Sequence, residues 1–197
     1  MDNEVKKLIT FNDHDIMMTP REFAYNKFNE IHITGEINSE LSTCVNAALR
    51  ALARVNNNPI TIFIESEGGS VSAAFSMYDT AKSLDFEITT VSSGTVASAA
   101  AFLARSMASK GRSLCYKNTE FLLHQPRCIG VQGQVTDLRI VAEHGLKQRE
   151  RLNRILSECT GQTIKKIEHD TERDHWMTAQ EALEYGLIDG VIDKYPF

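Results

Sequence analysis

The sequence of 197 residues has no long apolar run, no paired cysteines and no excess of positive charge. Its longest apolar stretch, near residues 96–104, is far shorter than the ~20 residues that a membrane-spanning helix needs. The first residues carry acidic side chains and no apolar segment of signal-peptide length, so we expect no secretory signal. A formal net charge of -5 gives no reason to expect nucleic acid or an anionic membrane as a partner.

The cysteines are widely spaced, and none belongs to a CxxC pair. They are Cys44, Cys115, Cys128 and Cys159. Their spacing fits neither a zinc site nor a dense disulfide framework, so we expect a reduced, cytoplasmic compartment and no metal. We also expect no cofactor. The chain also lacks internal repeats and Pro/Gly-rich linkers. Its length suits one domain over residues 31–197, preceded by a polar and irregular N-terminal arm over residues 1–30.

From residue 31 onward, strand-like runs alternate with segments whose apolar residues recur at helical spacing. The predicted strands cover residues 31–34, 59–66, 86–93, 112–116, 120–125 and 187–193. The predicted helices cover residues 39–55, 70–84, a segment starting near Ser98, about 133–158, and 179–186. This order predicts an α/β domain with repeated βαβ units and a mainly parallel sheet.

In such folds, functional sites gather in the loops that follow the carboxyl ends of the strands. Three segments follow predicted strands here: SEGGS (66–70), SSGTVAS (92–98) and LLHQPR (122–127). We therefore look for chemistry in these loops.

Ser98 is a lone hydroxyl among alanines at the start of a predicted helix. One interpretation is a helix cap, because a serine oxygen can accept a backbone N–H at a helix N-terminus. The other is a nucleophile whose small neighbours let a substrate approach. Ser98 by itself leaves both interpretations open.

His124 and the two glycines of SEGGS have the same double interpretation. His124 stands at the end of an apolar strand that Pro126 stops, where an imidazole can act as a positioned base. Gly68 and Gly69 suit a tight turn, or a backbone that approaches an anion closely, as in an oxyanion hole. No GK[ST] follows them, so we expect no nucleotide site.

The acidic segment HDTERDHW, residues 169–176, can be a solvated face, a metal cluster or the source of a carboxylate that orients a histidine. Its spacing matches no familiar set of metal ligands. The charged segment KQRERLNR, residues 147–154, is interpreted as a solvated face in preference to a nucleic-acid patch.

Several segments together resemble ClpP, the family of proteolytic subunits of the Clp protease, in order and in spacing. They are IESEGGSVSAAFSMYDTAKS, GTVASAAAFL, LLHQP, GQVTDLRI and ECTGQTIKKIEHDTERDHWMTAQEALEYGLID. The resemblance covers about residues 31–193. It implies the ClpP/crotonase-like fold, with a long protruding handle helix at about 133–158.

Carried over residue by residue, the resemblance implies a nucleophile at Ser98, a base at His124 and a triad acid at Asp174. The implied oxyanion donors are the backbone N–H groups of Gly69 and Ala99. The expected activity is that of a serine endopeptidase that acts on unfolded polypeptides or short peptides inside an oligomeric ring.

The resemblance also implies a homo-oligomer, a heptameric ring or two stacked rings, with Glu172 and Arg173 helping to link them. An AAA+ unfoldase is a further implied partner. The sequence departs from the family at Glu67, where proline is usual, in the loop 127–134, which is one residue longer, and over residues 1–30. The last departure weakens the inference of an unfoldase.

Other functions are compatible with the same sequence. A phage-type relative would mature capsid or scaffold protein, and a catalytically silent ring subunit would only assemble with active partners. Crotonase relatives use a similar fold to bind acyl-CoA, but the complete set of Ser98, His124 and Asp174 argues against that chemistry.

Overall fold

The computed structural model describes residues 7–11, 14–55, 58–127 and 130–196. The helices are α1 (Pro20–Phe28), α2 (Ser39–Val55), α3 (Val71–Lys82), α4 (Ala99–Ser106), α5 (Val135–Thr160), α6 (Ile164–Asp170) and α7 (Ala179–Tyr185). The strands are β1 (Lys7–Phe11), β2 (His14–Met18), β3 (Glu30–Ile37), β4 (Ile60–Gly69), β5 (Ile88–Ala97), β6 (Ser113–Tyr116), β7 (Glu120–Leu123), β8 (His175–Thr178) and β9 (Gly190–Ile192). The predicted α/β class is confirmed, and the predicted long helix is present as α5.

The main sheet is parallel except where β8 joins it. Strands β3, β4, β5, β6 and β9 follow one another as parallel neighbours. The long strand β5 serves two partners, because residues 90–92 pair with β6 and residues 95–97 pair with β7. Strand β7 then takes β8 as an antiparallel partner. The carboxyl ends of β4, β5 and β7 therefore meet at one end of the sheet.

Buried residues of β4 and α4 form the core next to the end of the sheet where β4, β5 and β7 meet. Ile60, Ile62 and Ile64 on β4 are fully buried, and each buried side chain contributes roughly 1.5–3 kcal/mol. In α4 every residue except Arg105 is buried. Its small alanines let the helix pack closely against β4 and β5. The start of α4, and with it Ser98, is thus held by a well-packed core.

The N-terminal segment has more regular structure than the irregular arm that the sequence predicts. Strands β1 and β2 pair in antiparallel fashion. Helix α1 begins after a capping box, in which the side chains of Thr19 and Glu22 each accept a backbone N–H from the other residue. These elements are short and have no apolar periodicity that the sequence would reveal. Backbone pairing stabilises the two strands, and capping and contact with β3 stabilise α1. The division of the chain at residue 30 stays a prediction.

Within the described part of the chain, no helix combines the length and apolar character needed to cross a bilayer. Cys44, Cys115 and Cys159 are free thiols. Cys128 lies outside the described residues, and so does part of the loop 127–134 that the sequence marks as lengthened.

Candidate active site

Ser98 lies between β5 and α4 in a backbone conformation that is rare for a residue with a side chain. Its φ is 57° and its ψ is -122°, and a conformation of this kind costs on the order of 1–3 kcal/mol. Its N–H donates to the carbonyl oxygen of Leu122 at 2.8 Å, and its carbonyl accepts from the N–H of Phe102 at 3.1 Å. Strand β7 and helix α4 together hold the strained turn in place.

The interpretation of Ser98 as a helix cap is wrong. The residue occupies the N-cap position of α4, but its side chain makes no capping hydrogen bond. Ser98 instead lines a small cavity of about 30 Å³ together with His124. The apolar wall of this cavity comprises Val71, Ala74, Phe102, Leu123, Leu152 and Leu156. The serine and the histidine therefore face one slot in a largely apolar environment.

His124 follows the last residue of β7, as the sequence predicts. Its Nδ1 lies 2.6 Å from the backbone oxygen of Gln125. Because a carbonyl oxygen can only accept, this contact requires a proton on Nδ1, so in the neutral ring Nε2 is the acceptor. A neutral imidazole in this tautomer is suited to take a proton from a hydroxyl.

Asp174 lines a cavity with His124, but its side chain has a different partner. The antiparallel β7–β8 ladder ends at the pair Leu123–His175, so His124 and Asp174 each lie one residue beyond it, and both line one cavity. The Asp174 Oδ1 atom lies 2.6 Å from Nη2 of Arg127. Among the residues that the structure describes, no hydrogen bond joins Ser98 to His124 or His124 to Asp174. The three residues are neighbours, and their side chains are not joined in a triad.

Gly68 has no side chain, and this lets the end of β4 pack directly against the Ser98 turn. Its φ is 97°, and a Cβ at this position would lie 2.8 Å from Cβ of Ser98 and 3.0 Å from the amide nitrogen of Ala99. Glycine therefore lets the end of β4 approach the serine turn closely. Ala99 lines the cavity with Ser98 and His124, and its amide belongs to the helical turn whose N–H groups have no partner within the helix.

The backbone of Gly69 lines a neighbouring open groove of about 710 Å³ with Glu65 and Glu67. The groove thus carries the carboxylate that distinguishes this chain from the family pattern. The roles of Gly69 and Ala99 as oxyanion donors stay predictions.

Asp170, at the end of α6 and in the acidic segment 169–176, is held by contacts within the chain. Burial would raise the pKa of Asp170. Hydrogen bonds from Lys166, His169 and Tyr185 outweigh burial and hold the pKa of that carboxyl below its ordinary value. Across the described residues, no group of three or more His, Cys, Asp or Glu side chains is arranged to hold a metal ion.

The two residues predicted to contact another ring lie on the surface. Glu172 is exposed, and its Oε2 lies 3.7 Å from Nη1 of Arg149 on α5. Arg173 is also exposed and lines a cavity of about 200 Å³ beside His124 and Asp174. Their contacts with another subunit stay predictions.

Sequence reasoning missed Arg127 and Arg149. Arg149 lies in the charged segment interpreted as a solvated face, yet its guanidinium reaches the side-chain oxygen of Gln125 at 3.3 Å. Arg127 directly follows the HQP motif, but its contact with Asp174 depends on the pairing of β7 with β8. That pairing was not predicted, because β8 follows the charged residues 169–174 and its segment was not recognised as a strand.

The chain is similar to known proteins over most of its length. Residues 14–195 match the family described as Clp protease. The chain is 42% identical over 163 residues to a protein of Ligilactobacillus salivarius (strain UCC118) named ATP-dependent Clp protease proteolytic subunit, and the match covers 82% of each chain. The family match begins at residue 14 and so includes part of the N-terminal segment. The chain therefore belongs to the Clp protease family, and it is a serine-type peptidase.

Proposed function

We propose that this chain is a ClpP-type serine endopeptidase that hydrolyses peptide bonds of unfolded polypeptides or short peptides. The observation that carries this proposal is the strained turn at Ser98, whose side chain makes no capping hydrogen bond and lines one cavity with His124. A cap would not need that conformation, whereas a nucleophile gains from a hydroxyl held clear of the helix.

In the proposed mechanism, the Ser98 hydroxyl attacks the peptide carbonyl while Nε2 of His124 takes its proton. The imidazolium then passes this proton to the leaving amine, and water later releases the acyl group by the same route. Asp174 holds the ring tautomer and stabilises the imidazolium. The N–H groups of Gly69 and Ala99 donate to the oxyanion, where the positive end of the α4 dipole also favours negative charge.

The proposed assembly is a heptameric ring, or two stacked rings, that encloses these sites in the cytoplasm. Exposed apolar residues on the first half of α5 support contact with another copy, and Glu172 and Arg173 are proposed to contribute to it. The similar protein is named as ATP-dependent, so we include an AAA+ unfoldase among the proposed partners. No nucleic acid, membrane or cofactor enters the proposal.

A second candidate is a ring subunit of this peptidase family whose site stays silent until a partner assembles it. It is favoured by the contact between Asp174 and Arg127, because this carboxylate would have to contact His124 to complete a triad. The experiment below separates the two candidates.

The test is labelling with a fluorophosphonate probe followed by peptide mass spectrometry. We expect a single adduct on Ser98 that is lost in Ser98→Ala and in His124→Ala and kept in the exposed control Ser83→Ala. Peptide hydrolysis by Ser98→Ala should fall to background, because sites of this type retain only ~10³–10⁴-fold catalysis over water without a triad member.

Near wild-type turnover in Ser98→Ala would remove Ser98 from its proposed role. A folded, oligomeric protein without any adduct would instead identify the silent subunit.

A further inference from the structure

The carboxylate of Asp174 contacts a cation rather than the histidine beside it. Arg127 Nη2 lies 2.6 Å from Asp174 Oδ1, while Nδ1 of His124 is occupied by the backbone oxygen of Gln125, also at 2.6 Å. Each potential partner in the His124–Asp174 contact is therefore engaged elsewhere. The side chains of Arg127 and Asp174 are 57% and 49% exposed, so the ion pair is in contact with solvent and can open readily.

Hydrogen bonds connect the segment that carries His124 to the segment that carries Asp174. The N–H of Gln125 donates to the carbonyl oxygen of Thr171 at 2.7 Å, and its side-chain amide donates to the carbonyl oxygen of Glu172 at 3.0 Å. Arg149 on α5 contacts both Gln125 and Glu172. The segments that carry His124 and Asp174 are thus held together even though the two side chains do not meet.

A cavity beside these residues leaves room for the Asp174 side chain to change its partner. His124, Arg127 and Asp174 line a common cavity of about 200 Å³. The other charged side chains at this cavity are Glu172 and Arg173. A rotation of the Asp174 side chain within the cavity can move its carboxylate from the guanidinium toward the imidazole without a change in strand register.

We propose that Arg127 is a positioning residue that restrains Asp174 and so disfavours the assembled triad in the isolated chain. When the triad assembles, the Asp174 carboxylate leaves the Arg127 guanidinium and accepts the Nδ1–H of His124. This inference rests on the proposed function, because it assigns Asp174 as the triad acid. It gives Arg127 a regulatory effect on the same site without direct contact with substrate.

The test measures the rate at which the fluorophosphonate probe labels Ser98 in the full chain. We expect Arg127→Ala to raise this rate about two- to fivefold, the size of effect that an exposed ion pair supports. Arg127→Lys keeps the charge and should return the rate toward that of the wild type. The matched control is Arg112→Ala, since Arg112 also forms a 2.6 Å ion pair, with Glu87. This control should leave the rate unchanged.

Two further measurements distinguish restraint from a general structural effect. Raising the salt concentration to about 1 M shortens the screening length to about 3 Å, so labelling of the wild type should approach the rate of Arg127→Ala. In an Asp174→Asn background, the gain from Arg127→Ala should disappear, because there is no carboxylate to release.

The labelling results separate a failure of the Arg127 restraint from a failure of the proposed peptidase activity. Labelling of Ser98 that is unchanged or slower in Arg127→Ala overturns the restraint and leaves the peptidase proposal standing. A gain that persists in the Asp174→Asn background also overturns it, because Arg127 would then act by another route. Absence of labelling in both the folded wild type and Arg127→Ala overturns the proposed function and the restraint together.

Discussion

At the scale of single residues, Gly68 is the position where the site depends most directly on a missing side chain. The end of β4 reaches the serine turn only because no Cβ stands between them. An added Cβ would lie 2.6 Å from the carbonyl oxygen of Ala97 and 2.8 Å from Cβ of Ser98. Both neighbours belong to the strained turn, so a shift to relieve the clash would move the nucleophile.

We predict that Gly68→Ala slows labelling of Ser98 about tenfold, because small displacements of reacting groups are costly in catalysis. The positive φ adds a destabilisation of about 2 kcal/mol. The control is Gly111→Ala, whose φ is 79° and whose added Cβ would meet nothing within 4 Å. That control should lose about 1 kcal/mol of stability and keep the labelling rate. Equal labelling by the two variants would contradict the prediction.

The sequence predicts which residues form the candidate site better than it predicts how their side chains are paired. Ser98 was predicted at the start of a helix and His124 at the end of a strand that Pro126 stops, and the structure places both in one cavity. The contact of Asp174 with Arg127 was not predicted, because it joins residues that are distant in sequence. Such a contact depends on the packing of loops, which local patterns do not encode.

At the scale of secondary-structure elements, Arg105 connects α4 to two distant parts of the chain. Its Nε donates to the carbonyl oxygen of Cys159 in the last turn of α5 at 2.7 Å. Its Nη1 lies 2.8 Å from Oδ2 of Asp189 as an ion pair without hydrogen-bond geometry. The side chain is only 13% exposed, so solvent screens this ion pair weakly.

We predict that Arg105→Met lowers the free energy of unfolding by about 2 kcal/mol, because it removes the hydrogen bond to Cys159 and the ion pair that the little-exposed guanidinium forms with Asp189. Urea denaturation followed by circular dichroism measures this change. Arg112→Met is the matched control, since its ion pair with Glu87 is more exposed and should contribute under about 1 kcal/mol. A loss no larger than that of the control would show that the Arg105 contact adds little stability.

The elements predicted well are those with a clear apolar pattern, whatever their length. Helix α5 was predicted at about 133–158 and found at Val135–Thr160, because its apolar positions recur over many turns. Helix α6 and strand β8 were missed. Both lie in a stretch of mostly charged and polar residues, where no apolar period can be recognised, and they depend on capping by Thr163 and on pairing with β7.

At the scale of the whole molecule, the first half of α5 presents apolar side chains that its own chain does not cover. They are Val135, Leu138, Ile140, Val141 and Leu146. Val135 is 83% exposed and Ile140 is 56% exposed. A concentration of exposed apolar residues on one element indicates a protein interface rather than a solvated face. The proposed contact with another copy of this chain would cover these residues.

We therefore predict that the wild type sediments as an oligomer at micromolar concentration and that Ile140→Asp shifts it toward the monomer. A carboxylate buried in an apolar contact disfavours association, whereas its cost in the free subunit is small because Ile140 is exposed. The control Val55→Asp places the same charge at the end of α2, where the side chain is 78% exposed, and should leave sedimentation unchanged. A wild type that sediments only as a monomer would contradict the proposed ring. Labelling of Ser98 that falls when Ile140→Asp dissociates the oligomer would show that assembly and activity are coupled. Subunit contact would then favour the arrangement in which Asp174 contacts His124 in place of Arg127.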